Sequence, residues 1–318
     1  MHYSKYGLTN TKKIFQLAIS NGFSVPAFNV YNMETISAVL NAATVTNSPT
    51  ILAISESALK YMGDNNLIGL ISAQKIKQSQ NIVLHLDHGS SFESCKHAID
   101  IGFSSVMIDA SKLSLTENIA LTGCIVEYAH KFDVSVESEL GILSGIEDEN
   151  TFSDQSLYTN PLDAKKFVDS TDTDSLAVAI GTSHGAYKRT NKNEKLRFDI
   201  LSKIESEIPN TPIVLHGASI IPQEFIKNIN EFGGNIQNAI GTDIEQLQFA
   251  SKQTHICKIN IDSDLRLAMT SAIRHNLFTH PENFNPRQYL ADGTNTISNY
   301  CAFLIREVMF CENKNSTK

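Results

Sequence analysis

Residues 82–109, IVLHLDHGSSFESCKHAIDIGFSSVMID, carry the pattern that decides the fold. Two short runs rich in apolar and β-branched residues, at 82–87 and 104–109, flank a segment at 91–101 with helical periodicity. Short apolar runs separated by helical segments are typical of parallel strands whose faces are covered by helices. This stretch therefore predicts a strand, a helix and a second, parallel strand.

The same unit recurs along the whole chain. Eight strands are predicted, at residues 24–30, 50–55, 82–87, 104–109, 134–140, 176–181, 212–217 and 256–262. Helical segments are predicted between them, among others at residues 33–43, 91–101, 115–130, 161–170 and 222–231. Eight such repeats in 318 residues predict an α/β fold of the (β/α)8 TIM barrel type, as a single domain over 1–318. An open, doubly wound sheet is the alternative.

Composition and charge exclude several classes of protein. Hydrophobic residues make up 42% of the chain and charged residues 19%, a balance that excludes intrinsic disorder as the main state. With 26 Lys and Arg against 34 Asp and Glu, the net charge is −8, which argues against a nucleic-acid partner. We expect no membrane partner and a cytoplasmic location, since neither a signal peptide nor a long apolar run is evident. The five cysteines form no CxxC pair, so neither a zinc ribbon nor a disulfide framework is indicated.

Two connections are too long and polar to be simple turns. They are residues 142–160, after the fifth predicted strand, and residues 182–195, after the sixth. Both would emerge at the carboxyl end of the barrel, where active sites are built, and their length predicts lid loops. A helical tail is predicted at about 296–312.

Polar residues gather at the ends of the predicted strands. Asp87 and His88 end the third strand, while His184 and His216 follow the sixth and seventh. Imidazoles and a carboxylate at one end of a barrel are ligands that zinc or a similar divalent ion prefers. His85, two residues before Asp87, is expected to have a structural, hydrogen-bonded role. Strand alternation also places Glu137 and Glu139 on one face.

Small and hydroxyl-bearing residues accompany these histidines. Gly185 and Gly217 each follow a histidine, and at such positions the absence of a side chain lets a ligand approach backbone N–H groups. Lys188, Ser219 and Ser263 lie nearby in the sequence. Backbone amides, hydroxyls, a helix N-terminus and an ammonium group together form a phosphate-binding site. Their position on the last three strands matches the place where barrels commonly bind phosphate.

These residues closely resemble the class II, metal-dependent fructose-bisphosphate aldolases. The resemblance runs from PAFNV to NPRQYL and is carried by HLDHGSSFES, SVESELG, AVAIGTSHGAYK, VLHGAS and KINIDSDLR. It implies reversible, zinc-dependent aldol cleavage of D-fructose 1,6-bisphosphate to dihydroxyacetone phosphate and D-glyceraldehyde 3-phosphate, a reaction of glycolysis and gluconeogenesis. It also implies a homodimer or homotetramer, and a monovalent cation (Na⁺ or K⁺) beside the phosphate.

The resemblance further implies a role for individual residues. His88, His184 and His216 would hold the catalytic zinc, and Glu139 would meet the metal in an alternative position. Asp87 would exchange the proton of the C4 hydroxyl, and Glu147 would move the proton at the enediolate carbon. The implied substrate contacts are Gly185, Lys188, Gly217, Ser219, Asp262 and Ser263 for the ketose-side phosphate, Asn260 near the metal, Asn29 as another polar contact, and Ser55 and Arg266, with Arg287 from a neighbouring subunit, for the far phosphate.

Elementary chemistry supports this interpretation independently of the resemblance. A Lewis acid at the carbonyl stabilises the charge that develops when the aldol bond breaks, and a carboxylate can take the hydroxyl proton. An aldolase working through a Schiff base would need a buried strand lysine, and Lys258 has no evident partner for that chemistry in the sequence.

Three other functions stay open at this point. A tagatose-bisphosphate aldolase would use the same site on the C4 epimer. A metal-dependent barrel hydrolase would need an HxH pair on the first strand, which PAFNVYN lacks. A catalytically silent barrel scaffold would be expected to have lost a zinc histidine or Asp87, and all are present.

Overall fold

Eight parallel strands close into a barrel in the computed structural model, which describes residues 2–142, 144–147, 150–151, 158–185 and 195–315. Neighbouring barrel strands pair in the order of the chain, and the last pairs with the first. The barrel strands are β1 (Val25–Asn29), β2 (Thr50–Ser55), β3 (Ile82–Gly89), β4 (Ser105–Ile108), β5 (Ser135–Leu140), β8 (Ser175–Val178), β10 (Ile213–Leu215) and β11 (Ile256–Ile261). The predicted TIM barrel is confirmed, and the open sheet is excluded by the pairing of β1 with β11.

Helices follow the strands and cover the outside of the barrel. They are α1 (Lys12–Asn21), α2 (Met33–Thr46), α3 (Glu56–Met62), α4 (Asp64–Ala73), α5 (Phe92–Ile101), α6 (Leu115–His130), α7 (Pro161–Thr171), α8 (Phe198–Glu207), α9 (Gln223–Glu231), α10 (Ile244–Gln253), α11 (Ser263–Thr279) and α12 (Pro286–Phe303). Short side chains begin several of them: Ser91 and Ser114 form capping boxes at α5 and α6, because their hydroxyls accept backbone N–H groups that the helix leaves unpaired. Among the described residues, no helix is both long and apolar enough to cross a membrane.

The hydrophobic core lies between the barrel and its helices. Its largest fully buried side chains include Phe15, Phe23, Phe28, Phe103 and Phe167. The strands are buried on both faces, so the polar residues inside the barrel are shielded from water wherever they are not at its carboxyl end.

A small second sheet connects the two predicted lid loops. It contains β6 (Ser144–Glu147), β7 (Asn150–Thr151) and β9 (Ser183–His184). β6 pairs antiparallel with β7 and parallel with β9, with Gly145 opposite His184. The segments that follow β5 and β8 are therefore joined by backbone pairing, which the sequence did not predict.

Several boundaries differ from the prediction; β8, for example, ends at Val178 instead of residue 181. The tail helix α12 begins at Pro286 instead of near residue 296, because the Asn285 side chain caps it and proline suits the first helical position. Strand β10 ends at Leu215 instead of residue 217, so His216 and Gly217 lie in the turn beyond it. A turn of π-helix, Leu304–Val308, follows α12, and its Leu304, Ile305 and Val308 are buried in the core.

Candidate active site

A buried carboxylate, Asp87, lies at the carboxyl end of the barrel and is held by side chains of two other barrel strands. Its side chain is on β3 and is only 1% exposed. The amide Nδ2 of Asn29, on β1, donates to Asp87 Oδ2 at 2.7 Å. The amide of Asn260, on β11, donates to Oδ1 at 3.0 Å. Both carboxylate oxygens are therefore fixed in direction by amides that cannot take up a proton.

The oxygens of the same two amides are left without a hydrogen bond in the part of the chain that the structure describes. Asn29 Oδ1 and Asn260 Oδ1 are buried and have no hydrogen-bond partner among the described residues. A buried acceptor without a partner costs about 1 to 3 kcal/mol, and such groups call for a polar ligand or an ordered water. Two acceptors beside a carboxylate match a ligand with several hydroxyl groups. Asn29 and Asn260 thus lie beside Asp87, and their role as substrate contacts stays a prediction.

His88 enters the site through an irregular strand end. Strict alternation along β3 would point it away from Asp87, its neighbour in the chain. Instead, His88 has a left-handed φ of +52°, and the pairing of β3 with β4 shifts register between Leu86 and Gly89. Positive φ is unfavourable for a residue with a side chain and tends to occur at functional sites. The distortion brings the side chains of Asp87 and His88 to the same side of the strand.

The imidazoles of His88 and His216 converge. His88 Nε2 lies 3.0 Å from Nδ1 of His216, which follows β10 and is fully buried. One donor atom each from Asp87, His88 and His216 lies within 4.8 Å of the others. Two nitrogens bound to one tetrahedral zinc are about 3.3 Å apart, as follows from Zn–N distances of about 2.0–2.1 Å. The residues therefore fit a divalent metal of the zinc type.

A second group of possible ligands shares His88 and contains a residue that the sequence did not point out. His88 Nδ1 is 3.6 Å from Oδ2 of Asp109 and 3.8 Å from Oε2 of Glu139, and the three form a possible metal-binding group. Burial opposes ionisation of Asp109, but His88 and Ser111 hold the pKa of its carboxyl well below the usual range. Asp109 directly follows β4. The strand-end argument used for Asp87 would have found it.

A charged cluster lies deeper in the barrel, beneath the histidines. The Glu137 carboxylate, on β5, is hydrogen-bonded to His216 Nε2 at 2.7 Å. It also accepts two hydrogen bonds from the ammonium group of Lys258, at 2.7 and 2.9 Å. Burial would raise the pKa of Glu137, but Lys258 and His216 hold it well below its usual range. Lys258, for which the sequence suggested no partner, is thus in a buried ion pair. Glu137, like Asp109, is a residue to which the sequence assigned no role. Strand alternation had placed it beside Glu139, but only the closed barrel brings it to Lys258 on β11.

His85 completes this lower cluster, and its predicted structural role is confirmed. Its Nδ1 lies 2.8 Å from the hydroxyl of Ser105, and its Nε2 lies 3.3 Å from Lys258 Nζ. Burial, together with the neighbouring ammonium group, lowers the pKa of His85 from 6.5 to about 3. His85 is therefore neutral. Its two ring nitrogens contact Ser105 and Lys258, and it is not part of the possible metal-binding groups among the described residues.

The structure brings together part of the predicted phosphate site. Gly217 has φ +61°, and a Cβ there would lie 2.6 Å from the carbonyl oxygen of Ser183, so this turn requires glycine. The hydroxyl of Ser219 accepts the backbone N–H of Asp262 at 3.3 Å. Ser263 is the first residue of α11. The N-terminus of α11, a 17-residue helix, thus lies beside the turns that follow the adjacent strands β10 and β11.

A cavity of about 430 Å³ opens beside Asn29. Ser55 and Arg266, two of the residues predicted for the far phosphate, line it together with Tyr31 and Tyr61. The Arg266 guanidinium is fixed by a 2.9 Å hydrogen bond from Nε to Asp262 Oδ1. Arg287, by contrast, is exposed at the start of α12 and lines a different surface pocket with His280 and Glu282. Within one chain, Arg287 is not among the residues that line the Ser55 cavity.

Several predicted positions are only partly described. The backbone of His184 belongs to β9 and that of Glu147 ends β6, while their side chains lie outside the described part of the chain. Gly185 has φ +82°, in the left-handed region that favours glycine. Lys188 lies outside the described residues.

Comparison with known proteins gives a consistent answer over almost the whole chain. A family model described as class II fructose-bisphosphate aldolase matches residues 9–314. The chain is 43% identical to a fructose-bisphosphate aldolase of Treponema pallidum, covering 96% of this chain and 97% of the relative. It is 45% identical to a fructose-bisphosphate aldolase of Giardia intestinalis, covering 92% and 90%. Among solved structures, the YdjI aldolase of Escherichia coli K12 superposes with a TM-score of 0.77 at 26% identity, covering 97% of this chain and 100% of that one.

Proposed function

The chain belongs to the class II fructose-bisphosphate aldolase family, and we propose that it reversibly cleaves D-fructose 1,6-bisphosphate to dihydroxyacetone phosphate and D-glyceraldehyde 3-phosphate. The observation that carries the proposal is the convergence of Asp87, His88 and His216 at the carboxyl end of the barrel. An aldolase needs a proton acceptor beside a Lewis acid, and this arrangement supplies the residues for both.

His88 and His216 are the described residues that would hold zinc, and the predicted third ligand is His184. A bound zinc ion would act as a Lewis acid toward the carbonyl oxygen of the ketose. Glu139, with Asp109 beside it, offers carboxylates for the alternative metal position that the family resemblance implies.

Asp87 is proposed to exchange the proton of the C4 hydroxyl. In the cleavage direction the C3–C4 bond breaks, the hydroxyl proton passes to the Asp87 carboxylate, C4 becomes the aldehyde carbon, and the electron pair remains on C3. The amides of Asn29 and Asn260 keep the carboxylate in place and cannot take the proton themselves. Glu147 is proposed to return a proton to C3, which completes dihydroxyacetone phosphate.

Two phosphate sites are proposed to hold the substrate across Asp87. The turn at Gly217, with Ser219, Asp262 and Ser263, would hold the ketose-side phosphate, joined by Gly185, Lys188 and a monovalent cation. Ser55 and Arg266 would hold the far phosphate in the cavity beside Asn29. Binding energy from these two distant groups would fix the reacting bond, which is how remote contacts contribute to rate.

A cytoplasmic location and a homodimer or homotetramer are part of the same proposal. The location rests on the glycolytic role that the family resemblance implies, and the oligomer on the resemblance that gives Arg287 to a neighbouring subunit.

The proposed function is tested by cleavage of fructose 1,6-bisphosphate and of its C4 epimer, tagatose 1,6-bisphosphate, by the purified protein. We expect faster cleavage of the fructose compound, loss of activity in EDTA and recovery with zinc. A preference for the tagatose compound would keep the mechanism and change the substrate. A zinc-loaded protein inactive on both compounds would contradict the proposal, and an Asp87→Asn variant prepared alongside excludes a contaminating aldolase.

A further inference from the structure

We propose that the buried pair of Glu137 and Lys258 is a positioning device for His216, holding its imidazole in the tautomer that leaves Nδ1 free to bind the metal. This inference rests on the metal role proposed for His216. It concerns two residues to which neither the sequence nor the family resemblance assigned a role.

Geometry defines the tautomer. Glu137 Oε1 lies 2.7 Å from His216 Nε2, and a carboxylate held ionised by an ammonium group can only accept a hydrogen bond. The proton of a neutral His216 therefore lies on Nε2. Nδ1, the atom that lies 3.0 Å from His88 Nε2, is left with its lone pair toward the proposed metal site.

Lys258 makes this arrangement possible in a buried position. The side chains of Glu137 and His216 are 2% and 0% exposed, and Lys258 is also fully buried. An isolated carboxylate would be very unfavourable there, but Lys258 Nζ contacts both of its oxygens, at 2.7 and 2.9 Å. Glu137 is thereby kept ionised and fixed in direction.

Strand alternation connects this pair to the site above it. Glu137 lies two residues before Glu139 on β5, and Lys258 lies two residues before Asn260 on β11. Residues two apart point to the same side of a strand. β5 and β11 thus carry Glu139 and Asn260 at the site and, two residues earlier, the pair of Glu137 and Lys258 beneath it. Carboxylates that orient a metal-binding histidine through its second nitrogen are a recurring feature of metal sites.

The test is the affinity of the full-length protein for zinc, measured by competition with a chelator. Glu137→Gln keeps the size of the side chain but no longer dictates which nitrogen of His216 carries the proton. We expect zinc affinity to fall by about 10- to 100-fold. The visible spectrum of the cobalt-substituted protein, which reports ligand geometry, should shift. Glu137→Gln alone leaves the buried ammonium group of Lys258 without its carboxylate. The double variant Glu137→Gln/Lys258→Met removes both buried charges, and its zinc affinity should fall by a similar factor.

A matched control is available at the opposite end of the barrel. Asp174 accepts Nε2 of His130 at 2.9 Å and the backbone N–H of Val136, remote from the site. Asp174→Asn should leave zinc affinity and the cobalt spectrum as in the parent. Equal effects of Asp174→Asn and Glu137→Gln would overturn the inference, because affinity would then follow general stability. Parent-like affinity and spectrum in the Glu137 variants would also overturn it.

The tautomer can be observed without altering the pair. In metal-free protein labelled with ¹⁵N-histidine, long-range ¹H–¹⁵N spectra should show His216, identified by its absence in His216→Ala, as the Nε2–H form. An Nδ1–H form would contradict the inference. If His88→Ala and His216→Ala bind zinc as tightly as the parent, the proposed metal site itself is wrong. That result is distinct from parent-like affinity in the Glu137 variants alone.

Discussion

At the scale of single residues, the site depends on a few polar side chains whose neighbours fix their direction. Asp87 is held by one amide at each carboxylate oxygen, and His216 by a carboxylate at Nε2. His88 reaches the site only because its backbone adopts a left-handed conformation. Such pre-orientation matters because catalytic groups that are already aligned need no reorganisation during the reaction.

Replacing Asp87 by asparagine should abolish proton transfer while leaving the fold intact. The amide is of nearly the same size but cannot take the C4 hydroxyl proton, so we expect kcat to fall by about 100- to 10,000-fold. Steady-state cleavage assays, with zinc content measured on the same samples, check this. Asp100→Asn, on the exposed surface of α5, should retain parental kcat. A kcat for Asp87→Asn within tenfold of the parent would contradict the acid–base role.

At the scale of elements, the turn after β10 is fixed from several sides. Gly217 packs against the backbone of Ser183, which precedes His184 in β9. Further along the turn, the buried carboxylate of Asp264 on α11 accepts the N–H groups of Ile220 and Ile221 at 2.9 and 2.8 Å. Tyr300 of α12 donates to the same carboxylate at 2.9 Å. A phosphate site built on this turn would therefore be held rigidly by two helices.

Gly217→Ala should damage this turn. Its φ of +61° and the 2.6 Å approach of a Cβ to the Ser183 oxygen predict a loss of about 1 to 3 kcal/mol of stability and a higher KM for the bisphosphate. Urea unfolding and steady-state kinetics measure both. Gly123→Ala, inside α6 where a Cβ meets no atom within 4 Å, should instead be neutral or stabilise by up to about 1 kcal/mol. Equal behaviour of the two variants would refute the steric argument.

At the scale of the whole molecule, closure of the barrel brings distant parts of the chain together. Asn29 and Asn260 reach Asp87 from opposite ends of the sequence because β1 pairs with β11 and β2 with β3. One group stays apart: Arg287 lines a surface pocket with His280 and Glu282, away from the Ser55 cavity. A role for Arg287 in the far phosphate site therefore requires a second copy of the chain.

Mixing two impaired variants, assayed at a substrate concentration below the raised KM, tests that requirement. Arg287→Ala alone should raise KM for the bisphosphate and leave zinc binding unchanged. Refolding it together with Asp87→Asn should restore activity, because mixed oligomers contain sites with Asp87 from one chain and Arg287 from the other. Each variant refolded alone is the control. Absence of recovery in mixed oligomers, verified by tags on both chains, would place Arg287 in its own chain's site or outside the site.

Acid should destabilise the metal-free protein partly through His85. Its pKa in the folded state, about 3, lies below the ordinary 6.5, so the unfolded chain binds more protons between these values and stability falls as the pH decreases below 6.5. At about pH 5 this single residue should lower the free energy of unfolding by roughly 2 kcal/mol relative to neutral pH. Urea unfolding should show a shallower fall for His85→Asn than for the parent. Parallel pH profiles would exclude the contribution of His85.

Much of the fold was predictable because local patterns repeat. The stretch at 82–109 shows the strand–helix–strand unit directly, and β3, α5 and β4 occupy it. Boundaries were less predictable: the cap at Asn285 and Pro286 starts α12 ten residues earlier than its apolar pattern suggested. The pairing of β6 with β9 was not predictable, since it joins two polar connections with no pattern of their own.

The sequence by itself determined the barrel, the strand-end positions of Asp87, His88 and His216, and the family, because strand periodicity and short motifs are local properties of the chain. Only the tertiary structure decided the partners. Asp109 lies beside His88 because consecutive strands pair, while Lys258 meets Glu137 beneath His216 from a strand far away in the sequence. Distance, burial and ionisation depend on which strands the closed barrel places side by side, and no local pattern records that arrangement.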